Sequence, residues 1–164
     1  MSDLEQAKKR DRKIFITDVA INKISKSTVS EYSEVQNALV DEIHKELLIR
    51  AKDYNNSNEV ACLLNLSNGE KAFQNGSEHS VNVFKNPVAY AMADNSEDNS
   101  LFLAHNHPST QTFSYSDLGV FLSNNSIGAM SVVSNTGDVH ILMYIYYLSL
   151  IIILIQRLLK NFYL

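Results

Sequence analysis

His105 and His107, two residues apart and followed ten residues later by Asp117, are the part of this sequence best equipped for chemistry. The apolar run 101–104 leads straight into His105-Asn106-His107-Pro108 and reads as a strand. Positions i and i+2 of a strand face one side of its sheet, so two imidazoles can converge on one ion. Asp117 falls on the first turn of a helix expected over 115–122, behind Ser114. A carboxylate there would complete a His-His-Asp set and leave a fourth position open for water, as catalytic metal sites do. Glu59 opens another expected strand and is the candidate base for a metal-bound water, and Ser114 is a candidate donor to an oxyanion. Two plainer readings stay open on these residues alone. Surface strands often carry two polar residues on one face, and Ser114 with Asp117 also has the spacing of a helix cap.

The elements that must position these residues follow from periodicity and turn chemistry. Thr28 and Glu31 have capping-box spacing, and Val35, Leu39, Ile43 and Leu47 recur every fourth residue, which predicts a helix to about Asp53. The short amides and hydroxyls of 55–58 break it, and 59–66 reads as a buried strand turned back at 67–69 into 70–73. Asn86-Pro87 caps a short helix over 87–93, loop fills 94–100, and 130–133 with 138–142 form a hairpin around 134–137. His44, His79 and His140 read as solvated or packed, and Cys62 as a small buried hydrophobe.

Composition bounds the partners. The 164 residues suit one ordinary domain with modest extensions, and a net charge of -4 gives no field for a polyphosphate backbone, so nucleic acid is not expected as a partner. One cysteine excludes an internal disulfide, and the charged first thirteen residues, read as a solvated arm, lack a signal peptide's apolar stretch; a cytoplasmic setting is expected. From Ile141 to Ile155 only Ser149 is polar and non-aromatic. Fifteen helical residues reach about 22 Å, short of a bilayer core of about 30 Å, so a membrane tether through 141–159, a core helix and a non-native tail are all open.

Leu101-Phe-Leu-Ala-His-Asn-His-Pro-Ser109 resembles the His-Asn-His-Pro-Ser segment of RadC-like proteins within the JAMM (JAB/MPN-type) metallohydrolase superfamily, whose pattern is Glu … His-x-His-x7-Ser-x2-Asp. Glu59-Val-Ala-Cys-Leu-Leu resembles its upstream element, and the likeness spans 58–142; six residues rather than seven separate His107 from Ser114. A fainter likeness links the N-terminal part to regions attached to such domains in phage minor head or mobile-element proteins. The resemblance implies an α/β fold: a three-layer JAB/MPN, cytidine-deaminase-like arrangement with a mixed central sheet, preceded by an N-terminal helix. The expected organisation is an arm over 1–27, a helical extension over 28–57, the metallohydrolase domain over 58–142 and a hydrophobic tail over 143–164. It further implies zinc held by His105, His107 and Asp117, water activated by Glu59, an oxyanion stabilised by Ser114, and a peptide, isopeptide or similar amide in a peptide or protein substrate. The rival expectation is an inactive, metal-stabilised interaction module.

Overall fold

The computed structural model describes residues 12–144. Expectations for 1–11 and for the tail beyond Tyr144 lie outside the described residues, among which no helix is long and apolar enough to cross a membrane. In chain order the elements are α1 (Asp18–Lys23), α2 (Glu34–Tyr54), β1 (Val60–Asn65), β2 (Lys71–Asn75), a 3-10 turn (Val83–Lys85), α3 (Pro87–Asn95), β3 (Leu101–His107), α4 (Tyr115–Leu122), β4 (Ile127–Ser134) and β5 (Val139–Met143). The strands form one mixed sheet in the order β2-β1-β3-β4-β5, in which β3 runs parallel to β4 and the other neighbours are antiparallel. The chain is therefore α/β with a mixed sheet.

Strand alternation divides the core into two halves. Val60, Cys62 and Leu64 of β1, Phe102 and Ala104 of β3, and Ala129 and Val133 of β4 pack with α2. Ala61, Leu63, Leu101, Leu103 and Met130 point the other way and pack with Ala89 and Met92 of α3 and Phe121 of α4. Every residue of β3 is buried, as expected of the central strand in a sheet covered on both faces.

The structure moves four sequence expectations. The capping box of the long helix is Ser33 with Gln36, not Thr28 with Glu31. Side chains of α2 hold the preceding segment in a turn: the Asn37 amide donates to the carbonyls of Val29 and Tyr32, and Asp41 accepts from the Ser27 amide. Val35 thus falls in the first turn and is 70% exposed, and the buried stripe is Val40, Ile43, His44, Leu47, Leu48 and Ala51. The segment expected as a helical extension forms one layer of the core. Within the expected arm, Ile16, Ala20 and Ile24 are buried, and α1 lies against the β4–β5 turn so closely that a Cβ on Gly137, at φ +88°, would collide with the Ala20 carbonyl. At the other end, Met143 belongs to β5 opposite Ala129, one residue past the expected boundary of the folded part.

His44 is fully buried between α2 and the sheet, its Nε2 2.9 Å from Ser131 Oγ and its Nδ1 without a partner among the described residues. A second ring proton would have no acceptor, and burial pushes the pKa of His44 down to about 4. Between that value and the ordinary one near 6.5, the unfolded chain binds a proton there and the folded chain does not. This contribution is therefore complete above about pH 6.5 and is lost as pH falls, by up to about 1.4 kcal/mol per unit. His44→Gln should flatten that slope: in urea unfolding at pH 7, 6 and 5 with chelator present, the gap between variant and parent should narrow toward low pH. Parallel pH profiles would show that His44 does not set the acid limb.

Candidate metal centre

β3 delivers both histidines to the face of the sheet opposite α2, the face that also carries Leu101 and Leu103. Helix α4 packs on that face and begins at Ser114, whose Oγ accepts from the Asp117 amide at 3.2 Å while Asp117 Oδ2 accepts from the Ser114 amide at 2.6 Å. This reciprocal cap fixes the Asp117 carboxylate on the first turn and turns it toward the strand. Ser114 and Asp117 are thus a helix cap, as one plain reading had it, and they also border the histidines.

The resulting geometry is tight. Nε2 of His105 lies 3.1 Å from Nε2 of His107, Asp117 Oδ1 is 3.3 Å from the first, and Asp117 Oδ2 is 3.4 Å from the second. Tetrahedral ligands on zinc bonds of about 2.0 to 2.1 Å stand about 3.3 Å apart, so these three side chains already have the spacing of a ligand set. They could hold a metal ion. His107 also directs Nδ1 at the Gln111 carbonyl, 3.4 Å away, which leaves Nε2 for the ion, and the Ser114 amide on Asp117 supports the carboxylate in the same way.

Electrostatics agree with the donor chemistry. Burial pushes the pKa of His105 down, against the pull of Asp117. Burial opposes protonation of His107 too, but its hydrogen bond to Asp117 and the charges of Asp117 and Glu59 outweigh it, and its pKa rises. Asp117 is desolvated yet held well below the usual carboxylate range by the two imidazoles. Two imidazoles and an ionised carboxylate aimed at one point present a single negative charge, which suits a divalent cation.

Glu59 is buried immediately before β1, its backbone fixed by the Ser77 carbonyl and the Gly76 amide. It shares a cleft of about 340 Å³ with His107, Ser114 and Asp117. Burial pushes the Glu59 carboxyl up to about 7, a rise that the charge of His107 opposes and that of Asp117 assists. All five candidate residues, Glu59, His105, His107, Ser114 and Asp117, therefore border one region. His79 stands exposed at the rim of the same cleft, while His44 lies behind the sheet.

The residues that sequence reasoning passed over are those that hold this region together. Asn106, fully buried between the two histidines in sequence, points to the other face. Its Oδ1 accepts from the Val60 amide at 2.7 Å, and its Nδ2 donates to the Asn58 carbonyl and, at 2.8 Å, to Asn135 Oδ1. Asn135, in the β4–β5 turn, donates its side-chain amide to the carbonyls of Ile14 and Ser57 and its backbone amide to the His107 carbonyl. The two asparagines thereby tie the histidine strand to the 57–60 segment that carries Glu59. Asn56 and Ser57 sit in the left-handed region at φ 51° and 56°, a conformation held by the Ser57 bonds to Ala51, Ile16 and Asn135. Of the three positions of 101–107 that alternation sends behind the histidines, 102, 104 and 106, only Asn106 is polar, and that was the available signal.

The chain matches no family model, no curated protein and no solved structure. The site therefore stands on its own geometry, as a candidate metal centre at the end of the central strand of an α/β sheet. Asn106→Leu should destabilise the fold by about 2 to 5 kcal/mol, because the Val60 amide and Asn135 are left buried with partners missing. Urea unfolding within about 0.5 kcal/mol of the parent would show that the network is dispensable.

Proposed function

We propose that this protein is a zinc-dependent hydrolase of peptide, isopeptide or similar amide bonds, of the JAMM type, on a JAB/MPN-like three-layer fold. The observation that carries the reading is the convergence of His105, His107 and Asp117 at ligand spacing beside a buried glutamate, in the chain order of the motif. His105, His107 and Asp117 would hold the zinc, which would supply a Lewis acid to polarise a carbonyl and lower the pKa of a bound water toward about 7. Glu59 takes a proton from the attacking water on a carboxylate oxygen and returns it to the departing nitrogen. Ser114 spends an Oγ lone pair on the Asp117 amide, which leaves its hydroxyl proton for the developing oxyanion. Partial burial of the ligands excludes water and strengthens each of these interactions.

The full chain should carry about one zinc, and His105→Ala, His107→Ala or Asp117→Ala should abolish it, since two protein ligands are too few for a stable site. Elemental analysis after dialysis is the measurement, and retention of zinc in all three variants would remove the site. Glu59→Gln should keep fold and zinc but slow amide hydrolysis by about 10² to 10⁴. Unchanged turnover would take Glu59 out of the mechanism. Zinc bound without turnover of any amide substrate would favour the metal-stabilised interaction module, the role compatible with Ser114 acting as a helix cap alone.

A further inference from the structure

We infer that the cleft beside His105 receives an apolar side chain on the acyl side of the scissile amide, an inference that rests on the hydrolase reading above. Two clefts meet at the ligand set. The smaller one holds Glu59, His107 and Ser114; the larger, about 720 Å³, is bordered by His105, and Asp117 lines both. The floor of the larger cleft is Ala61, Leu103 and Met130, from β1, β3 and β4, all on the histidine face of the sheet and all buried. One turn beyond Asp117, Val120 of α4 adds an apolar wall, and Val83 and Phe84 of the 3-10 turn add another. Of the described residues that line it, only Lys85, which is exposed, and Asp117 carry full charges; the other polar groups are amides, hydroxyls and His105. A charged substrate group would be desolvated over Ala61, Leu103 and Met130, which offer it no polar partner, whereas an aromatic or branched aliphatic group would gain by burial. The volume lies within the range of about 300 to 1,000 Å³ common to small-ligand sites.

The direction of the substrate follows from proton bookkeeping. Hydrolysis joins the water oxygen to the carbonyl carbon, breaks the C–N bond and delivers one water proton to the nitrogen, giving a carboxylic acid and an amine with no redox change. Glu59 carries that proton, so the leaving amine lies in the smaller cleft with it. That cleft also presents Lys13, Glu78 and His79, and is the polar one of the two. The acyl half then extends past His105 over the apolar floor.

The test compares acetyl-Phe, acetyl-Gly and acetyl-Asp hydroxamates by calorimetry on the zinc-loaded full chain, because the hydroxamate group seeks the metal and the acyl side chain reports on the cleft. The Phe compound should bind about ten- to a hundredfold tighter than the Gly compound, and the Asp compound no tighter than Gly. In Val120→Asp the Phe advantage should fall tenfold or more. Equal affinity of the Phe and Gly compounds, tighter binding of the Asp compound, or a Phe advantage undiminished in Val120→Asp overturns the apolar subsite and leaves the metal centre standing. Failure of all three to bind the zinc-loaded protein overturns the hydrolase reading and the subsite together.

Discussion

The site depends on one constraint: the central strand must place two imidazoles in a covered layer of the protein and still satisfy their ring nitrogens. Burial opposes the imidazolium form, and two Nε2 atoms 3.1 Å apart can share only one proton between them. The capped carboxylate of Asp117 answers this from the facing helix. The cap of α4, the turn after Pro108 and the register of β3 on β4 are then parts of one solution, because a shift in any of them changes the ring-to-carboxylate distances on which the set relies.

The same strand acts on both its faces. His105 and His107 face α4, and Asn106 between them faces α2 and gathers the chain segments that surround the site. A five-strand sheet whose central strand ends in alternating imidazole and amide side chains thus couples the geometry of the histidine face to a hydrogen-bonded anchor on the reverse. Rigidity of this kind suits a site that needs placement to within a fraction of an ångström.

Much of this was legible in the sequence because it rests on local rules. The α4 helix behind Ser114, the proline-started α3 behind Asn86 and the hairpin of β4 with β5 follow from caps, fixed φ and turn residues. The convergence of His105 and His107 follows from the two-residue period of a strand. What was not legible is non-local. Nothing near Thr28 says that Asn37 and Asp41 will fold the segment before α2 into a turn, so the helix start was misplaced. Nothing near Ile14 says that Asn135 awaits its carbonyl, so residues read as an arm proved to be partly core. The apolar floor of the larger cleft likewise comes from three strands that are neighbours only in space.

The bond from Asn135 to Ile14 spans 121 positions of chain. During synthesis the N-terminal segment therefore emerges long before the turn that fastens it, and helix α2 and the β1–β2 pair can form while Ile14 still lacks its anchor. The candidate ligands His105, His107 and Asp117 also precede Asn135, so they leave the ribosome before the strap that frames them is closed. A nascent fragment ending before the β4–β5 turn accordingly presents His105, His107 and Asp117 without the Asn135 bonds to Asn106, Ile14, Ser57 and the His107 carbonyl that frame them in the finished fold.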